Sequence, residues 1–359
     1  ELSMAPLGND RWAEFFSVSK TGFYRYSVCA WVDHFESWRR DLGKRIAVNK
    51  DTELDYQTGA ALVEAAAARA TGKDASRLEA VVRELISKRD ASEKRSQAQD
   101  EELSRLMFVY ADRSFESHYD AELRVRVDRE LARFGAWYEF FPRSVGGEGR
   151  HGSFKTCMTQ LEYVARMGFD VVYLPPVHPI GHSFRKGKNN TLTATADDGG
   201  SPWAIGSKEG GHKALHPQLG TLEDFAAFRE RTEALGMEIA LDIAFQCAPD
   251  HPYVKKHPEW FRKRPDGSIQ YAENPPKKYQ DIYPFDFETE AWESLWQELK
   301  SVFQFWVDQG VHIFRVDNPH TKSFAFWEWV IDEITRAHPD VIFLAEAFTR
   351  PKVMHRLAK

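Results

Sequence analysis

Cysteine is scarce in this sequence, with Cys29, Cys157 and Cys247 the three among 359 residues. Thiols so few and so scattered exclude a disulfide framework or a Cys-rich metal cluster, and they fit a reducing compartment. No segment approaches the ~18 uninterrupted apolar residues of a membrane span, and the start lacks the charged-then-apolar plan of a secretory leader. The expectation is a soluble, cytoplasmic chain with no membrane partner. Charge of one sign does not dominate either: 48 Lys and Arg face 54 Asp and Glu, for a formal net charge of −6. That leaves no basic field for nucleic acid, so any anionic ligand has to be met by a local set of donors.

What is plentiful is aromatic side chains, 13% of the chain and 11 of them Trp. Such rings pack on the C–H faces of sugars, but most aromatic residues serve protein cores, so the count alone decides nothing. From Asp10 to Val32 apolar and polar positions alternate, Tyr24, Tyr26, Val28, Ala30 and Val32 lying on one side, as in strands of a small β domain. Two or three strands are too few for a stable sandwich, and the first residue is Glu1. Residues 1–48 therefore read as a partial N-terminal β-sandwich domain whose start is cut away. From 49 to 118 the composition turns to Ala, Glu, Arg, Lys and Leu, which reads as a helical insertion. Within it Val81, Val82, Leu85 and Ile86 form an apolar stripe, whereas Ser87 to Glu102 reads as solvated helix or loop.

After Arg133 short apolar runs alternate with amphipathic segments that end at Gly168, Gly236 and Gly310, the rhythm of β/α units around a parallel sheet. Strands are expected at 136–141, 169–175, 237–244, 311–317 and 341–345. Thr221 with Asp224 three residues on marks a helix start. Residues 291–309 place Trp292, Leu295, Trp296, Leu299, Val302, Phe303 and Trp306 on one broad face expected to be buried. The stretch 245–287 is too long for an ordinary connection and reads as an inserted subdomain or a substrate loop. The fold class is α/β: the N-terminal half of a TIM-type (β/α)8 barrel over residues 119–359, preceded by the partial β-sandwich and the helical insertion.

Functional groups of such a barrel gather at the C-terminal ends of its strands. Asp242 ends the third, Asp317 the fourth and Glu346 the fifth. Neighbouring strands lie ~4.8 Å apart, so Asp317 and Glu346 can meet the spacing of about 5–5.5 Å that retaining glycosyl chemistry demands. Arg315 lies two residues before Asp317, on the same strand face, where it can orient that carboxylate and keep it ionised. A single acid at a strand end is as readily an ordinary ion-pair member; the spaced set is what points to catalysis.

These residues carry a resemblance. The block Phe314-Arg-Val-Asp-Asn-Pro-His320, the strand Val341 to Glu346, the Ala240-Leu-Asp-Ile243 strand end and Pro217-Gln-Leu-Gly-Thr-Leu-Glu-Asp-Phe225 resemble conserved regions of the α-amylase superfamily. The resemblance implies Asp317 as nucleophile, Glu346 as general acid then base, and Asp242 as the structural acid of the third strand. One departure is that the superfamily commonly has Asn-His four and five residues after that acid, where this chain has Gln246-Cys247. Trp137 to Ser144, Phe184 to Asn190, Ala244 to His251 and Tyr271 to Tyr279 are in turn similar to the α-1,4-glucan:maltose-1-phosphate maltosyltransferases. That family implies maltosyl transfer from α-maltose 1-phosphate to the non-reducing end of an α-1,4-glucan, a helical insertion used for homodimerisation, and no cofactor. It implies that Lys186, Gln246, Asn274, Lys277, Tyr279 and Asn318 surround the phosphate and first sugar.

Ser201 is expected to border the donor site, and Trp203 to pack on a sugar face or in the core. His178, His182 and His212 fit no zinc spacing, so no metal is expected. Two other functions stand against transfer from a sugar phosphate: a hydrolase or transglycosylase acting on free α-glucans, and a noncatalytic glucan-binding piece. The last is motivated by the chain's end, since a full barrel takes about 200 residues or more. Strands six to eight and the superfamily's third catalytic carboxylate are not within these 359 residues, which alone are expected to be inactive.

Overall fold

The apolar runs after residue 133 form one five-stranded parallel sheet. Its strands are Trp137–Glu139, Val171–Leu174, Glu238–Ile243, Ile313–Val316 and Ile342–Ala345, and their order in space is their order in the chain. In this computed structural model residues 1–88, 90–147 and 149–358 are described. Helices Phe154–Arg166, Leu222–Ala234, Trp292–Asp308 and Phe324–Ala337 alternate with the strands. The arrangement is the half barrel that the sequence rhythm implies.

Local chemistry starts and stops these helices. Ser153, Thr221 and Ser323 each accept a hydrogen bond from the amide three residues on, satisfying a donor the helix itself leaves unpaired. Gly168, Gly236 and Gly310 take φ of 83°, 78° and 84°, the left-handed turn that other residues adopt only at a cost. Along the second strand Val172 and Leu174 join the large core shared with the helices, while Val171 and Tyr173 join Ala240, Ile313 and Ile342 in a smaller cluster on the other face. Both faces of the sheet are thus covered, as near-continuous apolar strands require. Trp306 is fully buried, but Trp292 is 42% exposed. It opens its helix, ahead of the turns that meet the sheet, so it departs from the expected buried face.

Residues 245–287 contain secondary structure of their own. Gln246–Cys247 pairs with Tyr283–Pro284, and Ala272–Asn274 forms a hairpin with Lys277–Tyr279. Trp260, Phe261 and Phe285 anchor this insertion in the main core. Beneath it lie three histidines, His178, His212 and His251, each only 1% exposed. Tyr253 N donates to His251 Nδ1 at 3.0 Å, which leaves the ring proton on Nε2. That nitrogen faces His212 Nδ1 at 3.2 Å, and His212 Nε2 donates in turn to Ala244 O at 3.0 Å. The chain of neutral rings ties the loop after the second strand to the loop after the third, where Gln246 sits.

Residues Tyr24–Val125 form a second compact unit. Its helices are His34–Ala47, Glu53–Ala67, Gly72–Leu85, Ala91–Ala98 and Glu101–Val109. Phe35, Trp38 and Leu42 of the first helix pack with Tyr56, Val63, Leu78, Val81, Leu85, Leu103 and Leu106. Helical structure therefore begins at His34 rather than near residue 49, because positions 35, 38 and 42 already follow a helical spacing that the preceding strand-like alternation conceals. Within 87–102 the helix Ala91–Ala98 buries Lys94 and Ala98; Arg89 lies outside the described residues. The strands of the first 30 residues pair two by two, Ala5–Gly8 with Arg11–Ala13 and Cys29–Ala30 with Ser117–His118.

A Cβ at Gly59 would lie 2.0 Å from Trp38 Cζ2, and that indole is held in place by its hydrogen bond to Asp55 O at 2.8 Å. Gly59→Ala is expected to lower unfolding stability by about 1–3 kcal/mol despite the better helix propensity of alanine; an unchanged or higher urea midpoint contradicts this. Burial lowers the pKa of His178, His212 and His251 to about 3, 4 and 2. Because these values lie below that of an unfolded histidine, the unfolded chain takes up protons that the folded chain refuses. Their contribution is complete above pH ~6.5 and is lost as pH falls from there through the folded values of about 4, 3 and 2. Two carboxyls at the strand ends, Asp242, raised to about 7 by burial, and Glu346, raised first by burial, titrate in the opposite sense and offset part of the loss. Urea unfolding between pH 6.5 and 5 is expected to lose roughly 1–3 kcal/mol per pH unit; a flat profile refutes the neutral-histidine arrangement.

Candidate active site

Sheet register decides which acids meet. Arg315 is paired with Asp242 on the third strand, and Val316 with Ala345 on the fifth. One step on, Asp317 N donates to Ile243 O at 2.9 Å and Glu346 N to Val316 O at 3.0 Å, so the ladder continues and carries Asp317 and Glu346 to the same level. Arg315 Nη1 donates to Asp242 Oδ2 at 2.6 Å and to Asp317 Oδ1 at 3.2 Å, while Nη2 pairs with Glu346 Oε1. A single guanidinium thus spans acids from three adjacent strands. Tyr173, on the second strand, donates its hydroxyl to Asp242 Oδ2 at 2.5 Å.

Burial dominates the proton affinities here. It raises the Asp242 carboxyl to about 7, against the opposing pull of Arg315 and the Tyr173 hydroxyl. Glu346 is pushed above the ordinary carboxylate range first by burial and then by its hydrogen bond with Asp317, with Arg315 opposing. Burial works against the charge on Arg315, but the surrounding acids and Tyr173 together raise its pKa. Glu346 is therefore a carboxyl that retains a proton more readily than usual, beside an aspartate held by a guanidinium. A carboxyl raised in this way can hold a proton for transfer.

A cavity of about 760 Å³ opens at Asp317, lined among others by Gln246, Asn274, Tyr279, Asn318 and Lys322. A second, of about 1020 Å³, is lined by residues that include Arg143, Lys186 and Ser201, and Trp203 borders both. The expected phosphate-binding set is accordingly divided. Gln246, Asn274, Tyr279 and Asn318 gather around Asp317, whereas Lys186 and Ser201 face the other cavity. Lys186 is itself nearly buried and lies 3.8 Å from Asp281 Oδ1, which counters its charge. Lys277 lines neither cavity; it sits exposed in the hairpin, opposite Asn274.

Two residues at the site escape the sequence reading. Tyr173 belongs to a strand buried on both faces, where no alternation separates site residues from core. Lys322 is five residues after Asp317, beyond a left-handed residue, Asn318, with φ 44° and ψ 53°, so no periodic rule brings it back to Asp317. His212, Cys247 and His251 hold potential metal-ligand atoms within 4.8 Å of one another. The hydrogen-bond chain described above places a proton on His251 Nε2, between the two rings, and so favours a structural role for this cluster.

Comparison with known proteins agrees with this geometry. The family model "Alpha amylase, catalytic domain" matches residues 108–298, and the model "Alpha-1,4-glucan:maltose-1-phosphate maltosyltransferase, domain N/S" matches residues 1–129. Proteins named α-1,4-glucan:maltose-1-phosphate maltosyltransferase from Chlorobaculum tepidum and Myxococcus xanthus are each 53% identical to this chain over its full length, with 53% and 55% of their own lengths covered. The chain spans about half the length of the curated relatives it matches. An α-amylase structure from Lactobacillus plantarum is 29% identical with a TM-score of 0.51, over 61% of this chain and 46% of that one. The maltogenic α-amylase AmyB from Thermotoga neapolitana is 27% identical with a TM-score of 0.51, over 64% and 49%. With the catalytic-domain model covering just over half of its residues and the acids in register at its strand ends, the chain belongs to the α-amylase catalytic-domain family, and its full-length similarity is to the maltosyltransferases of that family.

Proposed function

We propose that this chain carries the donor-side machinery for retaining transfer of a maltosyl unit from α-maltose 1-phosphate to the non-reducing end of an α-1,4-glucan, with release of phosphate. The observation that carries the proposal is the Arg315 guanidinium reaching Asp242, Asp317 and Glu346 at the ends of three neighbouring strands. The maltosyltransferase names of relatives matching the whole chain support the choice of donor.

The steps follow from the groups present. The Asp317 carboxylate attacks the anomeric carbon, the bond from that carbon to the phosphate oxygen breaks, and Glu346 gives its proton to the departing oxygen. A glycosyl ester on Asp317 results. The acceptor's 4-hydroxyl then attacks the same carbon, Glu346 takes the hydroxyl proton, and the Asp317 carboxylate is freed. Arg315 holds Asp317 toward the sugar and limits repulsion among the acids. Gln246, Asn274, Tyr279 and Asn318 supply hydrogen-bonding groups for the sugar and the leaving phosphate. Lys186 and Ser201 in the neighbouring cavity fit contacts farther along the donor.

The reading extends to a cytoplasmic enzyme of glycogen-type glucan elongation that works as a homodimer through its helical unit, without a cofactor or metal. The test is phosphate release from α-maltose 1-phosphate with a maltooligosaccharide acceptor, using the full-length protein. Wild type is expected to release phosphate and lengthen the acceptor. Glu346→Gln should cut kcat/KM by about 10²–10⁴-fold, and Asp317→Asn should stop formation of the glycosyl ester, as read by mass spectrometry of the trapped protein. Starch hydrolysis with no phosphate release from the sugar phosphate would sink the proposal in favour of an amylase-type hydrolase.

A further inference from the structure

Phosphate departing beside an aspartate puts two anions close together in a partly dry site, which requires a cation nearby. Neither Lys186 nor Lys277 lines the cavity that Asp317 opens into. Among the described residues that do line it, Lys322 is the one with a cationic side chain.

Its position follows from the turn after the fourth strand. Asn318 adopts the left-handed conformation, a short helical turn spans Pro319–Thr321, and Lys322 returns to extended backbone at φ −124°. The chain thereby doubles back, and Lys322 Nζ donates to Asp317 O and Asn318 O, both at 3.2 Å. A weaker contact reaches Thr321 Oγ1 at 3.4 Å. These partners are neutral oxygens, and among the described residues no carboxylate lies within ion-pair distance of Nζ. Its charge is therefore held in place without being cancelled. Burial lowers its pKa to about 8, while Asp317, Asp242 and Glu346 act in the opposite direction, so the ammonium form still prevails at neutral pH.

We infer that Lys322 is a specificity-determining residue: it fixes the turn that bears the nucleophile and supplies the positive charge that favours an anionic leaving group over a neutral one. The inference rests on the reading of Asp317 as the nucleophile. Because the ammonium is already held by the turn, it acts on the anion mainly through its field. A hydrolase acting on neutral glucans has no need of this charge.

The experiment compares wild type, Lys322→Met and Lys322→Arg in the full-length protein, with thermal midpoints confirming that each variant is folded. Two readouts are taken: calorimetric binding of inorganic phosphate, and kcat/KM for α-maltose 1-phosphate relative to p-nitrophenyl α-maltoside. Lys322→Met is expected to weaken phosphate binding by ~10-fold or more and to lose more activity on the sugar phosphate than on the aryl maltoside. Lys322→Arg should recover much of both. Equal losses on the two donors would reduce Lys322 to a structural staple, and phosphate binding unchanged in Lys322→Met, or absent from wild type, would also overturn the inference. The donor reading fails separately, if wild type turns over the aryl maltoside but releases no phosphate from the sugar phosphate. Should Lys322→Met not fold, the Lys322→Arg ratio between the two donors decides, since a charge-based role predicts that it stays close to wild type.

Discussion

The guanidinium of Arg315 is the constraint on which the candidate site depends. Asp242, Asp317 and Glu346 stand at the ends of three adjacent strands, near enough to repel one another, and Asp242 is almost wholly buried. Arg315 touches all three. Removing one partner from a buried ionic group typically costs about 3–5 kcal/mol, because the charges left behind lose their compensation. Arg315 therefore ties the stability of this end of the sheet to the geometry of its chemistry. The Tyr173 hydroxyl completes the arrangement by sharing Asp242 Oδ2 with the guanidinium.

That constraint works only on a scaffold that keeps its register. A one-residue slip of the fourth strand would turn Arg315 and Asp317 away from the acids and send Phe314 and Val316 into their place. Burial of both sheet faces opposes such a slip, since Phe314 and Val316 belong to the core shared with the helices and Ile313 to the opposite cluster. Loops receive a comparable brace from within. The histidine chain ends on Ala244 O, two residues before Gln246, so an element remote in sequence steadies a residue that lines the cavity.

Lysine placement shows how charge is distributed over this surface. Lys186 is drawn toward Asp281, Lys277 lies on an exposed hairpin, and Lys322 is folded under the turn that follows Asp317. Of the three, only Lys322 occupies the cavity beside Asp317. A lysine's long side chain makes its sequence position a poor guide to where its charge acts.

By itself the sequence determined much of what depends on local periodicity. The alternation of short apolar runs with glycine-ended helices, the capping pair Thr221 and Asp224, and acids at successive strand ends were legible because each rests on spacings of a few residues. The motifs around Asp317 and Glu346 likewise indicated the family. Tertiary structure alone decided what depends on chain segments far apart. It began the helical unit at His34, left Trp292 exposed, split Lys186 and Ser201 from Gln246, Asn274, Tyr279 and Asn318, and brought Tyr173 and Lys322 to the acids. The reason is physical: periodicity reports which way a residue faces along its own element, whereas distances between loops are set by how elements pack and where the backbone turns, as at Asn318.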